Sequence, residues 1–254
     1  HGLTLVERGP FGVIASITPV TNPVSTIINN GIGMIAGANT VVVNPHPRAV
    51  KVSIETIKLI NDAIAKAGGP RHLICTVKKP TIETGQQMMQ HPDIRMIVAT
   101  GGPGVVKAAL SSGKKAIGAG AGNPPAVVDE TADIAKAAHD IVLGASFDNN
   151  LPCIAEKVVI VVEKVARKLM DSFKNENVYI LNDEEARVIT EKIIIDGAIN
   201  KELVGKDAGY ILKQIKVEPI SDVRLLIMPT DKNHPLVHIE QLMPVLPVVT
   251  VSDI

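Results

Sequence analysis

The residues that could do chemistry sit at turns. Cys153 ends the stretch Phe147-Asp148-Asn149-Asn150-Leu151-Pro152-Cys153, a polar, proline-bearing turn between a helical segment and a strand-like one. A thiol there can serve as a nucleophile once a neighbouring charge or base favours the thiolate. A lone cysteine is usually a small buried hydrophobe, and that is the expectation for Cys75, in the middle of the apolar run Leu73–Val77. Glu156, three residues past Cys153, has the chemistry of a base, although a solvated or salt-bridged carboxylate at a strand start is the simpler reading. Asn22, in Thr21-Asn22-Pro23, ends a strand and opens a helix. Its first reading is an N-cap; its second is an amide that donates to an oxyanion.

A second set of residues suits a nucleotide. Thr100-Gly101-Gly102-Pro103-Gly104 follows a strand-like run and opens a helix over Val105–Ser112 that Gly113 caps. Backbone amides in such a turn, backed by a helix N-terminus, suit an anion such as a pyrophosphate. A tight β–α turn needing glycine for its geometry explains the same residues, and the two readings stand level. No Gly-Lys-Ser/Thr follows, so this is not a P-loop, and the third glycine of the dinucleotide fingerprint is absent. Gly31-Ile32-Gly33-Met34-Ile35-Ala36 matches the fingerprint string but lies late in a helical segment, where small residues mark close packing. His46, in Asn44-Pro45-His46-Pro47, ends a strand where ribose-contacting groups sit in doubly wound folds; the plain alternative is a loop histidine between prolines. The other histidines are scattered along the chain, so no metal site is expected.

These residues need an alternating framework to hold them. Val13–Ile17, Thr40–Val43, Leu73–Val77 and Ile94–Ala99 read as buried strands, separated by helices over Pro47 to Ala67 and Thr81 to Gln90. Continuous apolar strands alternating with helices imply a parallel sheet covered on both faces, an α/β nucleotide-binding type of architecture. Gly118-Ala119-Gly120-Ala121-Gly122-Asn123-Pro124-Pro125 is a small-residue crossing, followed by a strand at Ala126–Val128 and a helix from Asp133. A second alternation then runs through strand Val158–Val162, helices Lys164–Asn175, Asp183–Ile195 and Lys206–Ile215, and strand Arg224–Met228. The charged run Asn182–Arg187 reads as the first turn of a capped surface helix. The expected boundary lies near residue 145, giving domains over 1–145 and 146–254. The chain stops inside an apolar run, Pro244–Val251, which is more common in a fragment than at a natural terminus.

Composition narrows the class. The 254 residues carry 26 Lys plus Arg against 26 Asp plus Glu, so there is no basic surplus to drive nucleic-acid binding. Aromatics are only 2% with no Trp, which disfavours base stacking. Two cysteines cannot build a disulfide framework, and a reducing cytosol is the expected setting. No apolar run approaches the roughly 20 residues of a membrane helix, and no signal peptide is visible at the start.

Taken together, the segments resemble the aldehyde dehydrogenase superfamily, and within it the CoA-acylating branch of acetaldehyde and propionaldehyde dehydrogenases, including the aldehyde dehydrogenase half of the bifunctional aldehyde–alcohol dehydrogenases. The carrying motifs are Pro19-Val20-Thr21-Asn22-Pro23, Asn44-Pro45-His46-Pro47-Arg48-Ala49, Ala99–Gly104, Ala116–Asn123, Phe147-Asp148-Asn149 with Cys153, and Glu240-Gln241-Leu242-Met243-Pro244. Their order follows the family over essentially the whole chain.

The resemblance implies a Rossmann-type NAD-binding domain and part of a catalytic domain, with segments missing at both ends. It makes Cys153 the nucleophile and Asn22 the oxyanion donor, which sets aside the cap-only reading. It assigns Thr100, Gly101, Gly102 and Gly104 to the pyrophosphate, Asn44, His46 and Pro47 to the adenosine side, Gly122 to the cofactor, and Glu240 to the nicotinamide ribose. Coenzyme A would be the co-substrate and a short-chain aldehyde the substrate. The whole protein would be a homo-oligomer, dimer or tetramer, in the cytoplasm, a bacterial microcompartment included. Hydrolytic relatives carry a Glu where Ala119 stands here, and an adenosine-ribose Lys where Asn44 stands. The rival readings are a hydrolytic aldehyde dehydrogenase and a non-catalytic nucleotide-binding module.

Overall fold

The computed structural model describes residues 2–219 and 222–253, and the chain divides into two units, His1–Ala121 and Gly122–Ile254. In the first, strands and helices alternate: β1 (Val13–Thr18), α1 (Pro23–Ala36), β2 (Thr40–Pro45), α2 (Val50–Lys66), β3 (Ile74–Thr76), α3 (Ile82–Gln90), β4 (Ile94–Thr100), α4 (Pro103–Leu110) and β5 (Lys115–Ala119). The five strands pair in parallel in the order β3-β2-β1-β4-β5. That is a doubly wound order, and it reverses direction between β1 and β4, which opens a crevice at the strands' carboxyl ends.

Local chemistry sets these elements. Pro23 starts α1, where its missing N–H is no loss. Gly31 allows α1 to approach the sheet, since a Cβ there would stand 2.9 Å from the Ile74 side chain; the close-packing reading holds at Gly31 but not at Gly33, which has open space around it. The Asn61 amide donates to the Ile74 carbonyl at 2.8 Å and accepts from its N–H at 3.3 Å, tying α2 to β3. Thr81 and Thr84 form a reciprocal capping box at the start of α3.

The second unit holds β6 (Pro125–Val128), α5 (Ile134–Ser146), β7 (Val158–Val162), α6 (Glu163–Phe173), β8 (Val178–Ile180), α7 (Asp183–Ile193), the short antiparallel pair β9 (Ile194–Ile195) and β10 (Ala198–Ile199), α8 (Ala208–Lys213), β11 (Leu225–Thr230), α9 (Pro235–His238) and β12 (Val245–Val251). Its sheet is parallel in the order β6-β7-β12-β11-β8. Alternate residues of β11 serve different cores. Leu225 and Ile227 pack with Ile141, Leu169 and Phe173, while Leu226 and Met228 pack with Ile189, Ile211 and Leu212. Burial on both faces is why this strand reads as an unbroken apolar run.

Three features depart from the sequence reading. The units divide at 121/122, whereas the expected boundary lay near 145; β6 pairs with β7 and α5 packs on the second sheet, so the segment 122–145 belongs there. Cys75 is exposed, because β3 is a three-residue edge strand whose central side chain faces away from the core; its thiol donates weakly to the His72 carbonyl. The strands β5 and β8 were not anticipated, since Lys115–Ala119 is rich in small residues and Val178–Ile180 is only three long.

Candidate active site

Cys153 stands after a left-handed turn. Asp148, Asn149 and Asn150 follow one another with φ of 47°, 53° and 59°. Asp and Asn tolerate this region better than other side-chain-bearing residues, so the Asp-Asn-Asn string suits the turn. Their amides then hold it: Asn149 donates to the Gly205 carbonyl at 3.1 Å, and Asn150 to the carbonyls of Ala145 at 2.7 Å and Glu156 at 2.9 Å. Cys153 itself is half-buried.

Beneath the turn lies Gly122, where an added Cβ would meet the Cys153 carbonyl oxygen at 2.6 Å. The Gly122 N–H donates to Glu240 Oε1 at 3.1 Å, across 118 residues of sequence. The second unit thus brings together Gly122, Cys153 and Glu240, three residues that the sequence singled out separately. The partly buried Glu156 lays its carboxylate against Gly144 of α5, where an added Cβ would overlap it.

One residue here was missed in the sequence. Lys157 is wholly buried, and its Nζ donates to Asn150 O at 2.7 Å, Asn150 Oδ1 at 2.6 Å and Pro152 O at 2.9 Å. Burial pulls its ammonium down to about 8, against the opposing pull of the negative charges of Glu240, Cys153 and Glu156. A lysine abutting the apolar run Val158–Val162 was the only available signal.

In the first unit, a cavity of about 600 Å³ opens at the carboxyl ends of β1, β2 and β4. Its lining includes Asn44, His46, Pro47, Thr100, Gly101, Gly102 and Gly104, so seven candidate residues from two separate motifs meet. The cavity lies at the sheet's switch point, where doubly wound folds bind ligands. The Asn44 Oδ1 accepts from Thr84 Oγ1 at 3.2 Å. His46 Nδ1 accepts from the Arg48 N–H at 3.2 Å, and burial first, then the Arg48 charge, lower its pKa. Gly102 is the N-cap of α4, and a Cβ there would meet nothing within 4 Å. Thr18, Thr81 and Gly85 also line the cavity and were not foreseen. The Thr18 hydroxyl is buried without a partner, which leaves a polar atom in the lining to be satisfied.

Asn22 is at the N-cap of α1 yet makes no capping bond through its side chain. Its Oδ1 accepts from Thr21 Oγ1 at 3.2 Å, and its carbonyl accepts from the Thr26 N–H at 3.1 Å. The N-cap function of the side chain, the first reading of this residue, is not used. Ala119 ends β5, and its carbonyl accepts from the Gly101 N–H at 3.0 Å. Among the described residues no cluster of three His, Cys, Asp or Glu could hold a metal ion, and no helix is long and apolar enough to cross a membrane.

The aldehyde dehydrogenase family profile matches residues 1–187. The chain belongs to the aldehyde dehydrogenase family. It is 50% identical over 253 residues to the CoA-propanoylating propanal dehydrogenase of Citrobacter freundii, covering 99% of this chain and 55% of that protein. It is 48% identical over 261 residues to the acetylating acetaldehyde dehydrogenase of Escherichia coli K12, covering 100% of this chain and 56% of that one. Among solved structures, the propionaldehyde dehydrogenase of the Clostridium phytofermentans fucose utilisation microcompartment superposes with a TM-score of 0.92 at 51% identity, over 97% of this chain and 57% of the other. The Rhodopseudomonas palustris propionaldehyde dehydrogenase with bound propionyl-CoA gives 0.90 at 49% identity, over 97% and 55%. This aldehyde dehydrogenase chain spans a little over half the length of these relatives.

Proposed function

We propose that the whole protein oxidises a short-chain aldehyde to acyl-CoA, with NAD as acceptor and Cys153 as nucleophile. The observation that carries this reading is the built presentation of Cys153. Three consecutive left-handed residues, a buried lysine and a glycine floor hold one half-buried thiol, which is far more structure than an inert cysteine needs. A structure of the Rhodopseudomonas palustris propionaldehyde dehydrogenase holds bound CoA and an acylated cysteine, and the Citrobacter freundii and Escherichia coli relatives are CoA-propanoylating and acetylating dehydrogenases.

The residues of the first unit fit a dinucleotide: the cavity has a glycine-lined lip at the N-terminus of α4, an unpartnered Thr18 hydroxyl and a polar Asn44. Thr100, Gly101, Gly102 and Gly104 would hold its pyrophosphate, and Asn44, His46 and Pro47 its adenosine side. Gly122 and Glu240 are the candidates for the nicotinamide end. When bound, this cofactor accepts a hydride.

The chain's own residues do the rest. The Cys153 thiolate adds to the aldehyde carbon, forming a C–S bond and an oxyanion. The Asn22 amide and the Cys153 N–H are the proposed donors to that oxygen. Loss of hydride re-forms the carbonyl as a thioester on Cys153. The CoA thiolate then adds to that carbonyl, and collapse breaks the enzyme's C–S bond, releasing acyl-CoA and the Cys153 thiolate. Ala119 has no proton acceptor to deprotonate water, so hydrolysis of the thioester is disfavoured relative to thiol attack. Likeness to microcompartment enzymes makes the cytoplasm or such a compartment the proposed location.

The test is a pre-steady-state measurement on the whole enzyme. With aldehyde and NAD but no CoA, about one equivalent of NADH per site should form in a burst, as expected when an acyl-enzyme accumulates, and turnover should then nearly stop. Added CoA should restore turnover, and Cys153→Ala should abolish both phases. Steady release of free carboxylic acid at full rate without CoA would instead establish a hydrolytic enzyme.

A further inference from the structure

We propose that Lys157 is the positioning residue for the Cys153 nucleophile, its buried ammonium gathering three oxygens of the turn ahead of the cysteine and fixing where the thiol stands. This rests on the reading of Cys153 as nucleophile.

Lys157 is fully buried, and each of its three ammonium protons has one acceptor: Asn150 O, Asn150 Oδ1 and Pro152 O. Asn150 passes the constraint on, since its amide grips Ala145 at the end of α5 and Glu156 at the far side of Cys153. The lysine is itself anchored at the backbone. Its N–H donates to the Pro124 carbonyl at 2.9 Å, and its carbonyl accepts from Gln241 Nε2 at 2.9 Å. The clasp therefore joins the segment after Gly122, the turn and the residue after Glu240. A buried cation is expensive unless paired or fully hydrogen-bonded, and an apolar residue would fill the start of β7 without that penalty. A purely structural role does not require a charge here; a turn of backbone carbonyls that must be held in one geometry does.

The groups facing the ammonium are Glu240, Cys153 and Glu156, all of which favour its charged form, while burial opposes it and brings it to about 8. A neutral amine has two protons for the same three oxygens, so deprotonation leaves one of them against a lone pair. The clasp should loosen as pH rises past about 8.

The experiment uses Lys157→Met and Lys157→Arg in the whole enzyme. Alkylation of Cys153 by iodoacetamide is followed at pH 7 by peptide mapping, with exposed Cys75 as internal reference, beside thermal melting and the pH profile of kcat. In folded Lys157→Met, alkylation of Cys153 should slow about 10–100-fold relative to Cys75, the scale of a misplaced reacting group; an unchanged ratio overturns the proposal. If that variant does not fold, the pH profile decides. Wild-type kcat should fall above about pH 8, and in Lys157→Arg, whose guanidinium keeps its charge, that alkaline limb should disappear. Identical limbs in the two proteins, or wild-type turnover that stays flat to pH 9.5 or so, overturn it. An enzyme that alkylates normally at Cys153 but shows no CoA-dependent turnover would contradict the proposed function and leave the clasp to the alkylation ratio.

Discussion

The carbonyl oxygen of Cys153 lies so close over Gly122 that a Cβ added there would stand 2.6 Å away. Real side chains do not tolerate such a distance to backbone, so the cysteine turn must move if position 122 gains a methyl group. Gly122→Ala should therefore lower turnover about 100-fold, the scale of a misplacement near 1 Å, measured as CoA-dependent NADH formation. Equal turnover in a folded Gly122→Ala enzyme would show that the turn adapts freely.

Asn22 offers a clean separation of stability from chemistry. Because its side chain makes no capping bond, Asn22→Ala should leave the melting temperature nearly unchanged. If the amide donates to the oxyanion, turnover should fall by about 10²–10³-fold. A drop in melting temperature with turnover preserved would return Asn22 to a structural part.

Gly102 caps α4 at the lip of the cavity in the first unit, with open space where a side chain would go. Its φ of −64° is ordinary for any residue. Gly102→Val should fold normally and raise the NAD Michaelis constant, on the order of 10-fold or more if about 1.4 kcal/mol of pyrophosphate contact is lost. Unchanged NAD kinetics would mean that the Thr100–Gly104 segment is a plain turn.

His46 and His234 both titrate below their ordinary value of 6.5, chiefly because burial disfavours the imidazolium. In each, the neutral ring accepts a backbone N–H through Nδ1, from Arg48 at 3.2 Å and from Leu236 at 3.3 Å. A depressed folded-state pKa means that the unfolded chain binds protons first as pH falls. The stability they contribute is therefore present above pH 6.5 and lost as pH drops through their lowered values. Melting temperatures between pH 7 and 5 should fall, and His46→Asn, which keeps an acceptor without a titrating group, should flatten the decline. A decline of the same steepness in the variant would remove His46 from the account.

Much of the local structure was legible because it depends on short-range chemistry. Val158–Val162 was read as a strand to the residue, since five apolar β-branched residues in a row have few other uses. The capped helix starting at Asn182 follows from a side chain three residues ahead of Glu185. Small and polar types at Thr100–Gly104 and Asp148–Asn150 marked turns, and both are turns in the fold. Resemblance then placed the scattered motifs in one family, which the family match bears out.

What the sequence by itself determined, then, is the alternation of elements, the turn chemistry and the residue types available for catalysis, all set by neighbours a few positions apart. Only the tertiary structure decided which of them meet. Gly122 reaches Glu240 across 118 residues because β6 and β12, the strands that follow them, both flank β7 in one parallel sheet. Cys75 is exposed because its strand lies at the sheet edge, which no run of apolar residues announces. Lys157 looks like any surface lysine until three oxygens of a left-handed turn close around it, because burial and hydrogen-bond partners belong to the packed chain and not to a residue's type.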